Sequence, residues 1–400
     1  MTLGDPKLIP ITQPEPQDLA WRFWFTLPIY PYSKRRTIRT EVVQDTIWTF
    51  DQVQGIFYVI VPIRMTVVKL VSGGLLVYAP VAPTVECLRL VNELVAIHGE
   101  VKYIIFPTIS GLEHKVFVGP FARCFPQAQV WVAPSQWSFP VNLPLSWLGF
   151  PANRTYTLPT DSTQTPFGAE FDYAILGTID LGPGQFAEVA FFHRSSRTLL
   201  VTDSIVSLPQ TPPEVLTTNP YPLLFHSRDL ASDPFVDTPA NRVKGWQRIC
   251  LFALYFRPSL LEIRLWTQTI QMSFRAAERS KQSYFGIYPF DWQSGWEDTF
   301  HELRADGGLL VAPILQDLIL PRNPQATLDW VNRICEWDFH SIIPCHFDAP
   351  IPATAVEFRQ AFSFLESKST TTLQEADTRL INEIDRQLTR WRIIKRSYEL

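Results

Sequence analysis

Four side chains with the chemistry of metal ligands stand directly after predicted strands. Each follows a short apolar run: Glu113 and His114 come after residues 103–106, Asp203 after residues 198–202, and His346 after residues 341–344. In layered α/β folds ligand sites gather at the carboxyl ends of strands, so we expect these side chains to converge at one edge. Two imidazoles and two carboxylates suit zinc, ferrous iron or manganese. The alternative is a polar cluster without metal that holds the loops together.

Three other polar positions have both a chemical and a structural interpretation. The run from His226 to Asp229 combines an imidazole, a guanidinium and a carboxylate, which suits an anion site or a self-satisfied turn. Cys345 lies beside His346 and is a soft ligand, a redox-sensitive thiol or a buried, inert thiol. His193 lies in a predicted hairpin turn next to Arg194, and this position predicts a surface residue.

The elements that would position these residues alternate between strands and helices. Alternating residues 64–70, a Gly73-Gly74 turn and residues 75–78 predict a hairpin. Helix signals follow at Gly99, a C-terminal cap, and at Asn323 before Pro324, an N-terminal start. Further signals are the capping boxes at Thr354 with Glu357 and at Thr372 with Glu375, and a strand predicted at residues 309–311. This order predicts a layered α/β fold.

Composition excludes several classes of protein. The chain has 400 residues, of which 46% are hydrophobic and 18% charged, so a disordered or coiled-coil chain is excluded. Its formal net charge of -4 provides no overall positive field for nucleic acid. Five scattered cysteines without a C-x-x-C pair are typical of a reducing compartment, so we expect a cytoplasmic protein. The sequence also predicts no secretory signal and no transmembrane segment.

Two aromatic segments allow alternative interpretations. The N-terminal arm carries four aromatic residues followed by four basic ones: Trp21, Phe23, Trp24 and Phe25, then Lys34, Arg35, Arg36 and Arg39. It is either a strap packed on the fold or a peripheral contact with an anionic membrane. The loop at residues 131–150 is rich in tryptophan, phenylalanine and proline, and it either fills the core or lines an apolar pocket.

Motifs at the strand ends resemble the metallo-β-lactamase superfamily. The segment from Thr108 to His114 corresponds to its T-H-x-H-x-D-H motif, and Pro183-Gly184-Gln185 to its middle P-G-H. Asp203 corresponds to the bridging Asp, and Pro344-Cys345-His346 to the last P-G-H. The resemblance covers residues 45–210 and 325–350. The strings SGLEHKVFVGPFAR, FFHRSSRTLLVTDS and IIPCHFDAPI further resemble a domain-of-unknown-function branch found mainly in oxygenic phototrophs, both cyanobacteria and plastids.

The departures from that family decide what the resemblance implies. Ile109, Gly111 and Gln185 stand where the three His of one metal site belong, so that site is predicted to be lost. The second site keeps its residue types, with Glu113 in place of Asp beside the other three ligands, His114, Asp203 and His346. The resemblance therefore implies at most one ion, not a binuclear centre that bridges a hydroxide.

Together these features predict one elaborated αββα sandwich. Its segments are an arm at residues 1–44, a first half at 45–210, a helical insertion at 211–300, second-half elements with the last ligand strand at 301–352, and C-terminal helices at 353–400. The favoured function is non-catalytic binding or assembly with an unknown small molecule or protein. The alternative is a hydrolase using one Zn, Fe or Mn ion. A peripheral membrane contact is compatible with both.

Overall fold

The fold is built from two large sheets with helices on their outer faces. The computed structural model describes residues 14–26, 28–109, 114–138, 142–181, 184–255, 257–366 and 375–390. Glu113, Gly111, Pro183 and the capping residue Thr372 therefore lie outside the described residues.

The first sheet has seven strands in sequential order. They are β1 (Ile38–Val43), β2 (Ile47–Ile56), β3 (Val59–Lys69), β4 (Leu75–Tyr78), β5 (Val101–Phe106), β6 (Gln129–Val132) and β7 (Thr155–Thr157). Strands β1 to β4 pair antiparallel, which confirms the predicted β3–β4 hairpin. Strands β4 to β7 pair parallel. The carboxyl ends of β4 and β5 therefore reach the same edge.

The remaining strands form a five-stranded sheet and a separate hairpin. They are β8 (Phe171–Asp180), β9 (Gln185–His193), β10 (Thr198–Val201), β11 (Leu261–Ile263), β12 (Phe290–Trp292), β13 (Ser341–Pro344) and β14 (Ile351–Pro352). The sheet order is β14-β13-β10-β9-β8, while β11 pairs only with β12. Strands β10 and β13 are parallel, so the loops that follow them leave the sheet side by side.

Ten α-helices lie among the described residues. They are α1 (Val85–His98), α2 (Lys115–Cys124), α3 (Glu214–Thr217), α4 (Tyr221–Ser227), α5 (Pro239–Tyr255), α6 (Trp266–Ser273), α7 (Trp296–Arg304), α8 (Pro324–Cys335), α9 (Ala355–Ala361) and α10 (Glu375–Arg390). The predicted caps of α8 and α9 are confirmed: Asn323 accepts from the amide of Ala326, and Thr354 forms a capping box with Glu357. These caps satisfy amides that have no partner within the helix.

The two sheets pack face to face, and helices cover the outer faces. Val68 and Ile105 of the first sheet share a core with Phe191 and Leu200 of the second. The Tyr78 hydroxyl crosses this core and donates to the carbonyl of Val189, 3.0 Å away. Helices α1 and α2 pack on the first sheet, and α8 and α9 on the second. The predicted layered α/β sandwich is therefore confirmed.

The strand predicted at residues 309–311 is wrong. In that segment only Leu310 pairs, through two backbone hydrogen bonds with Val206. Pro313, which follows shortly, has no amide hydrogen to extend the pairing, and the chain turns into a helical segment. A short apolar run alone cannot distinguish a strand from a single bridge before a helix.

The N-terminal arm is fastened to α1 and α2. Trp21 is only 3% exposed and meets the ring of Phe117 at 5.4 Å. Arg36 and Arg39 form ion pairs with Glu86 and Glu93 of α1, at 2.6 and 2.9 Å. The basic residues of the arm thus hold it in place. None of the described helices combines the length and the apolar composition that a membrane crossing requires.

Candidate functional site

Three of the four predicted site residues meet where strands of both sheets end. The Asp203 side chain follows β10, and its Oδ1 lies 3.0 Å from Nε2 of His346, which follows β13. The imidazole of His114 stands at the start of α2, with its ring centre 6.5 Å from that of His346. Glu113 lies outside the described residues. Parallel pairing of β10 with β13 explains how residues 143 positions apart come into contact.

Backbone carbonyls fix the orientation of both imidazoles. Nδ1 of His346 lies 2.9 Å from the carbonyl oxygen of Pro62, and Nδ1 of His114 lies 3.1 Å from that of Pro80. A carbonyl only accepts, so each Nδ1 carries the hydrogen. In His346 this leaves Nε2 facing the Asp203 carboxylate. If Nε2 of His346 and Oδ1 of Asp203 both presented lone pairs, they would repel each other at 3.0 Å. A shared proton or a cation is therefore needed to stabilise this contact.

Glu188 of β9 is a residue of this site that the sequence reasoning missed. Its carboxylate is fully buried and accepts the backbone amides of Thr202, Asp203 and Ser204 at 2.9 to 3.0 Å. It also accepts the Ser204 hydroxyl at 2.8 Å. Burial raises the pKa of the Glu188 carboxyl, the charge of Asp203 raises it further, and these hydrogen bonds oppose the shift. Glu188 therefore holds the loop that carries Asp203.

Arg64 of β3 holds the loop that carries His346. Its guanidinium donates to the carbonyls of Pro344 and Phe347, at 2.8 and 2.9 Å, on either side of that histidine. Its Nε lies 2.8 Å from the Asp51 carboxylate, which compensates the buried positive charge. Burial raises the pKa of the Asp51 carboxyl, while the charge of Arg64 opposes that shift. The His346 loop is thus tied to both sheets.

Two of the three positions at which we predicted a lost metal site have structural roles. Ile109 is fully buried in the core between the sheets. Gln185 opens β9 and pairs with Asp180 across the β8–β9 hairpin. An apolar side chain offers no lone pair to a metal, and an amide oxygen is a weak ligand. The third position, Gly111, lies outside the described residues.

The described residues contain no group of three His, Cys, Asp or Glu side chains placed to hold a metal ion. Cys345 carries a buried thiol. Next to His114, the buried Lys115 donates to the carbonyls of Ile109 and Trp137. Burial lowers the pKa of this ammonium to about 8. The site thus combines imidazoles and carboxylates that are already bonded to one another or to backbone.

The remaining polar positions are structural. His226 is fully buried, with its Nε2 3.2 Å from the carbonyl of Phe57, and burial lowers its pKa to about 3. Asp229 accepts from Lys244 and Arg248 of α5, so its carboxylate is held by contacts with that helix and not by the turn's own side chains. The predicted surface position of His193 is wrong. Its ring is 1% exposed, because it packs on Phe171 beneath the turn.

Comparison with known proteins gives one sequence family and several similar folds. The family described as "Domain of unknown function (DUF4336)" matches residues 44–364. No curated protein matches the chain. Similar solved structures include the DIM-1 metallo-β-lactamase exposed to ceftazidime, with 11% identity, a TM-score of 0.39, and coverage of 82% of this chain and 96% of that one.

Two further structures have comparable values. A putative diflavin flavoprotein from Nostoc sp. PCC 7120 (fragment 1–254) is 10% identical, covers 84% of this chain and 98% of its own, and has a TM-score of 0.41. The FIM-1 metallo-β-lactamase from Pseudomonas aeruginosa, in a mono-zinc form, is 9% identical, covers 84% and 96%, and has a TM-score of 0.38. Such identities transfer no residue role or activity to this chain.

Proposed function

The chain belongs to the Domain of unknown function (DUF4336) family, and we propose that it is a non-catalytic binding or assembly protein. The observation that carries this proposal is the hydrogen bonding of the polar cluster at the sheet edge. Glu188 accepts three amides of the loop after β10, and Asp203 of that loop contacts His346 directly. These groups hold two loops and two sheets together, which is a structural task.

Two residues at the positions of the predicted lost metal site support the same proposal. Ile109 adds a buried side chain to the core between the sheets, and Gln185 takes part in the β8–β9 ladder. In hydrolases with a binuclear metal centre, the two ions together activate the attacking water. Two of the three positions predicted for a second ion, Ile109 and Gln185, serve packing and pairing in this chain.

A binding role needs a site, and one of the cavities of suitable size lies beside the arm. It measures about 530 Å³ and lies between the arm and α3, with apolar walls that include Val53, Ile60 and Leu216 and two cations, Lys34 and Arg36. Small-molecule sites are typically about 300–1,000 Å³, mostly apolar with a few polar groups. Because Arg36 is paired with Glu86, Lys34 is the cation that would face a ligand, and the cavity suits a small apolar molecule with one negative group.

Metal analysis tests the proposal. Wild type, Asp203→Asn and His346→Gln proteins are purified without chelator, incubated with zinc or manganese, and desalted before elemental analysis. We expect well under one ion per chain in all three proteins. We also expect both variants to unfold at lower urea concentration than wild type. One ion retained by wild type and lost in both variants would contradict the proposal.

The second candidate is a hydrolase with a single metal ion, and one observation favours it. Metal-binding histidines usually donate their other ring nitrogen to a carbonyl or carboxylate, as Nδ1 of His114 and His346 does here. His114, His346 and Asp203 are not placed as a metal site in this structure, so an ion would have to draw them together before it could supply an activated water. Titration with cobalt, followed by visible absorption, distinguishes this candidate without relying on activity. Assignment to a branch of oxygenic phototrophs stays a prediction.

A further inference from the structure

Helix α6 carries its apolar side chains on the outside. Trp266, Ile270 and Phe274 recur every four residues, so they share one face of the helix and its last turn. They are 69%, 50% and 67% exposed, and the adjoining Leu265 is 68% exposed. Scattered single apolar residues are normal on a surface, whereas a continuous stripe marks an interaction site.

The opposite face of α6 is polar and buried. Thr269 and Ser273 face the protein, and their hydroxyls donate to the carbonyls of Leu265 and Ile270 in the same helix. Because these groups are satisfied within the helix, they pack on the fold without needing partners there. The amide of Arg264 bonds to Pro289 just before the helix. The apolar stripe is therefore held facing solvent.

Positive charges adjoin this stripe. Arg275, Arg279 and Lys281 are exposed, and none forms an ion pair with another described residue. The Arg279 guanidinium lies 5.4 Å from the ring centre of Phe274. The acidic residue of this segment, Glu278, accepts a hydrogen bond from the Tyr221 hydroxyl at 3.1 Å. The segment is thus locally cationic on a chain with a formal net charge of -4.

We infer that the α6 surface, meaning residues 265–275 with Arg279 and Lys281, docks on the anionic surface of a lipid bilayer. Helices that lie in the membrane interface combine tryptophan, phenylalanine and leucine on one face with flanking cations. Negative headgroups complement the three cations. A stable protein–protein interface buries about 800 Å² on each partner. The exposed face of one eight-residue helix, about 12 Å long, offers less area than that.

Vesicle flotation tests this inference. The full chain is mixed with vesicles of phosphatidylcholine alone or with about 30% phosphatidylglycerol, at low and high salt. We expect binding to the anionic vesicles that weakens as salt rises. The pair Trp266→Gln with Phe274→Gln should lower binding at least about tenfold, because both rings would enter the interface. The double variant Arg275→Gln, Arg279→Gln should lower the affinity for anionic vesicles about 25-fold, because each cation contributes about fivefold.

Trp147→Gln is the matched control, because that side chain is 77% exposed elsewhere on the surface, and it should bind like wild type. All variants change exposed residues, so their melting temperatures should match that of wild type. Three results would overturn the inference. The first is that the wild type does not bind anionic vesicles, and the second is that both α6 double variants bind as well as wild type. The third is that light scattering finds a wild-type dimer and that the double variant Trp266→Gln, Phe274→Gln is monomeric. The last result would assign the stripe to a second copy of the chain.

Discussion

Replacing Glu188 with glutamine tests whether the polar cluster has a structural task. The carboxylate accepts four hydrogen bonds from Thr202, Asp203 and Ser204. A glutamine side chain at this position would keep one oxygen and turn an NH2 group toward backbone donors, so about two of the four bonds are lost. Hydrogen bonds to charged groups contribute about 1.5–3 kcal/mol each. We therefore expect Glu188→Gln to lower the free energy of unfolding by about 3–6 kcal/mol.

Equilibrium urea denaturation, followed by circular dichroism and tryptophan fluorescence, measures this loss. Ser204→Ala removes one of the four bonds and should cost about 1.5–3 kcal/mol, which keeps the test open if Glu188→Gln does not fold. Glu100→Gln is the matched control, because Glu100 is exposed and its loss should change stability by less than about 0.5 kcal/mol. A loss below about 1 kcal/mol for Glu188→Gln would refute the reasoning.

Three further predictions follow from other parts of the fold. Trp21→Ala should cost about 3–5 kcal/mol in denaturation, because Trp21 of the arm is buried against Phe117, whereas Phe25→Ala, at a position 64% exposed, should cost about 0.5 kcal/mol or less. Equal losses of stability in the two variants would contradict the interpretation of the arm as a strap packed on the fold. Burial lowers the pKa of His193 to about 4, so its neutral form is favoured in the folded state and stability falls as pH drops from 6.5 to 4. His193→Gln should therefore lose about 2 kcal/mol less than wild type between pH 7 and pH 5, and equal losses would place the titrating group elsewhere. Arg64→Lys should cost about 2 kcal/mol or more in the same assay, because a lysine cannot reproduce the forked contacts with Asp51 and two carbonyls, and an unchanged midpoint would exclude this role.

The sequence predicted the strand ends well, and through them much of the site. Runs such as residues 103–106 and 341–344 are short, apolar and followed by polar residues, so they identify both the strand and its end. Parallel pairing then brings Asp203 and His346 together, because neighbouring strands end at the same edge. Local pattern was sufficient wherever the strand and its following loop are adjacent in the chain.

Glu188 was missed because its role depends on a contact between strands. It interrupts an apolar run on β9, and in a hairpin strand such a residue normally faces solvent. Only the pairing of β9 with β10 shows that its carboxylate faces the amides of the next loop. His193 was misplaced for a related reason, since a turn rich in polar residues predicts exposure. Packing of Phe171 over the ring is a tertiary contact that the turn sequence does not contain.

The residue types at the sheet edge cannot by themselves separate a metal site from a structural cluster. A loop that leaves the end of a strand has backbone amides without partners, and buried amides must be satisfied by some acceptor. In this chain Glu188 provides that acceptor for the loop after β10, and Arg64 provides the donors for the loop after β13. With both loops held this way, a metal is not needed to keep Asp203 and His346 in place. What lies between Nε2 of His346 and Oδ1 of Asp203 then distinguishes a structural cluster from a metal site. A proton there makes the contact an ion pair that needs no metal, whereas a cation there makes the same two side chains ligands.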